Sequence, residues 1–135
     1  MELSTLNLWA VLAAAVATYG IGAIWYSPLL FSGQWMESAG LRESDLENTN
    51  MAKIMSLTLI YSLIMAFCLG MFLNDPSIGL SEGAFYGFLT GFGWIFFVIA
   101  TNSMYEQKSW TYILIVGGYW TVAFTVMGLI LGAWK

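Results

Sequence analysis

Charge is scarce in this sequence, and histidine is missing from it. The chain has 4 Lys and Arg and 8 Asp and Glu residues, so 9% of its residues are charged. A soluble domain is roughly a quarter charged. Because 59% of the residues are hydrophobic, too few polar side chains remain to cover a water-facing surface. These two shortages exclude a soluble globular fold.

The missing residue types also remove whole classes of chemistry. Without histidine the chain has no imidazole metal ligand, no Ser-His or Cys-His catalysis and no histidine pH switch. Cys68 is the single cysteine, which excludes an intramolecular disulfide and a paired thiol motif. The basic residues are too few to hold nucleic acid. We predict no metal, no cofactor and no nucleic-acid partner.

What the sequence has instead is four long stretches without charge. They cover residues 3–36, 54–74, 83–105 and 109–134. Each supplies the ~20 apolar residues that a helix needs to cross the hydrocarbon of a bilayer. The runs are continuous and do not alternate as the strands of a membrane barrel do. The sequence therefore predicts an all-α integral membrane protein, a bundle of four transmembrane helices.

Local signals set the ends of these helices. Pro28 ends the first helix, because the residue before a proline disfavours helical angles. Asn50, Ser81 and Ser109 are suitable N-caps for the second, third and fourth helices. The segment between the first two helices opens with apolar residues and is predicted to lie on the membrane surface as an interfacial segment. The prediction is one transmembrane domain, 1–135, with helices at about 6–26, 51–72, 81–104 and 109–134.

Basic residues give the orientation. The loops at 28–52 and 105–108 contain Arg42 and Lys108, and Lys53 directly follows the first loop, against Lys135 alone elsewhere. Basic loops stay on the cytoplasmic side of a membrane. We therefore predict that both loops are cytoplasmic.

Small residues recur at helical spacing and mark faces for helix packing. In lipid such faces are the usual contact surfaces, because the hydrophobic effect does not draw helices together there. We predict that the first and third helices pack closely, and we favour packing within the chain over a contact between subunits. The packing residues are Ala13 and Ala17 in the first helix, Gly83, Gly87 and Gly91 in the third, and Gly128 and Gly132 in the fourth.

Two polar residues late in the third helix are candidate ligand contacts. Asn102 follows Gly91 by about eleven residues, and at roughly 100° per residue it returns to the same face. Its amide is thus predicted to point into the bundle, for a ligand or, as we favour, for an interhelical hydrogen bond worth on the order of 1 kcal/mol. Glu106 ends the helix; its carboxylate is either drawn into the bundle or, as is more common, solvated.

Several strings resemble a known family. They are Gly22-Ala23-Ile24-Trp25-Tyr26-Ser27-Pro28-Leu29-Leu30-Phe31 with Trp35, Thr101-Asn102-Ser103-Met104-Tyr105-Glu106 followed by Ser109, and Gly118-Tyr119-Trp120 with Gly128. Together these strings are similar to the bacterial family called domain of unknown function 1761 (DUF1761). The similarity spans essentially the whole chain, and the Trp-Tyr-x-Pro-x-x-Phe core is its most specific part.

The resemblance implies architecture and a site, and no activity. It implies a bacterial protein, which we expect to be multi-pass in the inner (cytoplasmic) membrane. The predicted helices bring the recurring residues to one membrane face. The candidate ligand-binding residues are Trp25, Tyr26, Pro28, Phe31, Trp35, Asn102, Tyr105 and Glu106.

Two classes of function remain open from the sequence. The first is binding or permeation of a small neutral or lipid-like molecule through this aromatic site, with a small channel as one form of it. The alternative is a structural or assembly subunit of a membrane oligomer, held to copies of itself by glycine faces. An enzyme is disfavoured, because acid-base work would fall on Glu106 and Tyr105. A proton-coupled exporter is disfavoured too, since no run contains a charged residue.

Overall fold

A computed structural model describes residues 2–135, and within that range every regular element is helical. The long helices are α1 (Leu8–Trp25), α4 (Met51–Leu73), α5 (Leu80–Tyr105) and α6 (Trp110–Ala133). Each is long and apolar enough to cross a membrane. Their ends lie within two residues of the predicted ends.

Two of the predicted caps are confirmed. The Asn50 side chain accepts a hydrogen bond from the backbone N–H of Lys53 at 3.2 Å. The Ser109 hydroxyl accepts one from the N–H of Tyr112 at 3.3 Å. Each bond satisfies one of the free N–H groups in the first turn of a helix.

The other two long helices start differently from the prediction. Ser81 is not a cap: α5 begins at Leu80, and the Glu82 carboxylate accepts the N–H of Gly79 at 3.0 Å. A carboxylate in the first turn, like a cap side chain, accepts a hydrogen bond from a free backbone N–H, and its negative charge interacts favourably with the helix dipole. For α1 the cap is Asn7, which the sequence analysis did not identify.

Two short helices connect α1 to α4. They are α2 (Ser32–Ala39) and α3 (Glu43–Glu47), separated by a turn in which Gly40 has a φ of 73°. That left-handed backbone favours glycine. The Lys108 ammonium group donates to the Ala39 carbonyl at 3.4 Å, so α2 lies against the connection between α5 and α6.

The packing order of the long helices corrects one prediction. α6 is the central helix, in contact with α1, α4 and α5, while α1 packs on α4 and α6. The predicted close packing of α1 and α5 is wrong, because α5 reaches the bundle through α6. The small face of α1 is used, but against α4 and α6: Ala10, Ala14 and Ala15 are buried there, and Ala13 and Ala17 lie half-buried at its edge.

The contact between α5 and α6 is glycine against glycine. A Cβ added to Gly83 would lie 2.9 Å from the Cα of Gly132, and one added to Gly87 would lie 3.2 Å from the Cα of Gly128. Real Cβ atoms do not approach other backbones so closely. The two glycine repeats therefore let the backbones touch, which is how helices gain packing energy in lipid.

Small side chains fill the centre of the bundle. Ala14 of α1, Ala66 of α4, and Ala123 and Met127 of α6 are all fully buried. At the far end of the bundle the Asn74 amide donates to the Glu2 carbonyl at 2.6 Å and to the Thr5 hydroxyl at 2.8 Å. We call this the terminal end, because Glu2, Asn7 and Lys135 lie there, and the opposite end, with α2 and the connection from α5 to α6, the loop end.

Candidate functional site

The middle of α5 is a π-helix, running over Leu89–Phe96. Its hydrogen bonds join residues five apart, whereas those of an α-helix join residues four apart. Gly83, Gly87 and Gly91 are spaced four residues apart and lie against α6. The next residue on that face is Phe96, five positions after Gly91, and its ring lies against Gly117. Such segments are rare, and they occur frequently at functional sites.

The π-helix corrects the predicted direction of Asn102. An uninterrupted α-helix would return to the inner face at Asn102, but the wider turn delays the return by one residue. Ser103 is consequently buried, with 2% of its surface exposed, and Asn102 is exposed. Its side chain makes no hydrogen bond with the described residues. The Asn102 amide therefore faces away from the bundle.

The other half of the predicted site is an aromatic cluster at the C-terminal end of α1. We define it as Trp25, Tyr26, Phe31, Trp35 and Tyr119. Ring centroids lie 5.0 Å apart for Trp25 and Phe31, 5.3 Å for Tyr26 and Trp35, and 5.4 Å for Tyr26 and Tyr119. These are ordinary packing distances for aromatic pairs. The rings thus pack against one another and fill the space between α1, α2 and α6.

Two polar groups of this cluster donate hydrogen bonds to backbone carbonyls. The Trp25 indole donates to the Ile115 carbonyl at 2.9 Å, and the Tyr119 hydroxyl donates to the Thr18 carbonyl at 2.9 Å. Burial, with smaller effects of Tyr119 and Tyr112, raises the pKa of the Tyr26 hydroxyl above its usual range. Because these groups already have partners or are buried, the aromatic cluster is suited to fixing α1 and α2 on α6.

The structure does not join the two halves of the predicted site. Tyr105 is 87% exposed, and Glu106 is exposed as well. Among residues 2–135, no hydrogen bond or ring contact connects Asn102, Tyr105 or Glu106 to the aromatic cluster. Pro28 is also exposed, in the turn between α1 and α2.

A large open space lies elsewhere, between α4 and α5. This large groove has a volume of about 770 Å³ and is open to the side of the bundle. Leu73 and Ile78 line it at the terminal end. Its remaining walls include Ile64, Cys68 and Phe72 of α4, Tyr86, Thr90 and Trp94 of α5, and Phe124 of α6.

A second, shallower groove continues the first along α5. This small groove has a volume of about 480 Å³ and ends at Thr101 and Asn102. Gly93 and Trp94 line both grooves, so the two meet at the π-helix. Open space surrounds Gly93, since a Cβ there would have no neighbour within 4 Å, and Trp94 is 68% exposed. No ionisable carboxylate or amine lines either groove.

Of these groove residues, Asn102 was a predicted ligand contact. A groove between two helices arises from the distance at which they are held, and no residue pattern reports that distance. Counted at about 100° per residue from Gly83, Trp94 would lie on the glycine face of α5, so no sequence signal placed it in the groove. In the structure the exposed side chains of Tyr86 and Trp94 form part of the wall of the large groove.

Comparison with known proteins gives a family and no activity. The sequence model of the family described as "Protein of unknown function (DUF1761)" matches residues 9–132. No curated protein and no solved structure matches the chain.

Proposed function

The chain belongs to the DUF1761 family, and we propose that it is an integral membrane protein that binds a lipid-like, uncharged molecule in the large groove between α4 and α5. We place it in the bacterial inner membrane, with α2, α3 and the connection from α5 to α6 on the cytoplasmic side. The basic residues Arg42, Lys53 and Lys108 support that orientation.

The observation that carries the proposal is the groove itself. Its volume of about 770 Å³ is within the ~300–1,000 Å³ typical of small-molecule sites. Its lining is mostly apolar, with two hydroxyls, those of Tyr86 and Thr90, and the Thr90 hydroxyl already donates to the Tyr86 carbonyl at 2.9 Å. A charged ligand would lose its hydration there without gaining a partner. A hydrocarbon chain entering sideways from the bilayer has no such cost.

Use of the glycine faces favours a ligand over a second copy of the chain. Helices in lipid associate through small residues, and the repeats at Gly83, Gly87, Gly128 and Gly132 are consumed between α5 and α6. The walls of the large groove are built from bulky side chains instead. A structural role in an oligomer therefore stays the second candidate, supported by the exposed face of α5 alone.

Permeation, if it accompanies binding, would follow the outside of α5. The bundle centre is filled by Ala14, Ala66 and Met127, each fully buried, which supports no route between the helices. The large and small grooves together run along one side of α5. We therefore place any movement of a bound molecule on that lipid-facing side.

Filling the groove junction tests the proposal. Gly93→Leu adds a side chain where open space exists, and Gly20→Leu does the same on α1, where a Cβ also has no neighbour within 4 Å. Protein extracted in mild detergent is purified, and its retained hydrophobic molecules are identified by mass spectrometry. We expect the parent and Gly20→Leu to retain the same molecule and Gly93→Leu to lose it. Equal retention by all three would contradict binding in the groove.

A further inference from the structure

Resting on the proposed function, the geometry points to a specific ligand class: we infer that the two grooves bind an amphiphile whose uncharged hydroxyl head contacts Asn102 and whose single hydrocarbon chain runs along α5 into the large groove.

The first step is the polarity of the two ends. The apolar side chains of Leu73 and Ile78 line the terminal end of the large groove. The small groove ends at the loop end with two polar side chains, Thr101 and Asn102. A molecule lying in both grooves thus has mainly apolar walls, with the Tyr86 hydroxyl among them, and two neighbouring polar side chains at the loop end, which is the polarity of an amphiphile.

The second step is the chemistry of Asn102. Its amide has two donor hydrogens and an acceptor oxygen, and the described residues use none of them. A hydroxyl group, which also both donates and accepts, matches this amide. Glu106 lies one turn further on the same side of α5 and is exposed, so its carboxylate disfavours an anionic head near Asn102. An ammonium head only donates hydrogen bonds and would leave the two N–H donors of Asn102 without an acceptor, so an uncharged hydroxyl is the head that matches this amide.

The third step is length. Sixteen residues separate Tyr86 in the large groove from Asn102, which is roughly 20–25 Å along a helix. The hydrocarbon core of a bilayer is ~30 Å thick, so half of it is ~15 Å. A chain that follows both grooves therefore passes the middle of the membrane. Short alcohols would fill the small groove and leave the large one empty.

Cys68 provides the measurement. It is the single cysteine, and it lines the large groove. Protein in phosphatidylcholine nanodiscs is alkylated with N-ethylmaleimide, and the rate is followed by mass spectrometry. The added probes share one chain length and differ in the head: octadecane, octadecanol, octadecanoate and octadecylamine. Hexanol tests the length.

Octadecanol should slow alkylation of Cys68 the most, and hexanol should not slow it. In Asn102→Leu, the octadecanol concentration needed for protection should rise about 3–10-fold, the loss expected for one hydrogen bond. Gln34→Leu, which removes an exposed amide on α2, should leave that concentration unchanged. Both variants alter exposed side chains, so neither disturbs packing.

The outcomes separate this inference from the proposed function. Equal protection by all four octadecyl probes, or an octadecanol effect that survives Asn102→Leu, would overturn the hydroxyl head and leave binding in the groove intact. Strongest protection by octadecanoate or octadecylamine would overturn the uncharged class. Absence of protection by every probe would overturn both proposals.

Discussion

Replacing Gly87 by alanine tests whether backbone contact holds α5 on α6. The added Cβ would fall 2.9 Å from the carbonyl carbon of Phe124 and 3.2 Å from the Cα of Gly128. Both neighbours are backbone, so a rotamer change cannot relieve the clash, and the helices must move apart. Overpacking of this kind costs typically ~1–3 kcal/mol.

A second glycine supplies the matched control. Alanine gains about 0.8–1 kcal/mol over glycine in a helix interior, wherever the residue lies. Gly20→Ala on α1 receives this gain and meets no neighbour within 4 Å. Because both variants share the helical gain, the difference between them isolates the clash. We expect Gly87→Ala to be less stable than Gly20→Ala by ~1–3 kcal/mol.

The assay is equilibrium unfolding in mixed micelles, with dodecyl sulfate as the denaturant and circular dichroism as the signal. Gly20→Ala should unfold at the same or a higher dodecyl sulfate fraction than the parent, and Gly87→Ala at a lower one. Coincident transitions for the two variants would refute the glycine contact, since the close approach of α5 and α6 would then have no energetic consequence.

Two further predictions use the same purified protein. Trp25→Phe removes the indole donor to the Ile115 carbonyl and should lower the free energy of unfolding by about 0.5–1.5 kcal/mol. Trp9→Phe, at a side chain that is 71% exposed, should change the free energy of unfolding little. Equal losses in the two variants would contradict a stabilising role of this hydrogen bond. Hydrogen bonds from the Ser77 backbone and hydroxyl lower the pKa of Asp75 below 3.8, so this carboxylate contributes stability above that pH and loses it as the pH falls through its folded-state pKa. In Asp75→Asn the free energy of unfolding should depend less on pH in this acidic range than in the parent. An unchanged pH profile would refute the assignment.

The candidate site divides into a part that the sequence predicted and a part that it did not. Trp25, Tyr26, Phe31 and Trp35 do come together, because a proline turn folds α2 back beside the end of α1. Asn102 was placed by counting α-helical turns, and the count fails where the helix becomes a π-helix. No residue pattern between Leu89 and Phe96 indicates that change, and the contact that accompanies it, of Phe96 with Gly117, is made with another helix.

The amino-acid sequence alone determined how many long helices form and where they end. The cost of burying charge and unpaired backbone groups in hydrocarbon confines the charged residues to the ends of the charge-free runs, and Asn50 and Ser109 cap the helices that follow them. Only the tertiary structure decided which helices touch. A glycine repeat indicates which face of a helix can make a close contact, but it does not indicate which helix packs there. In this fold the repeat of α6 packs against that of α5. The groove between α4 and α5 follows from that choice, because both helices pack on α6 and are held apart by its width.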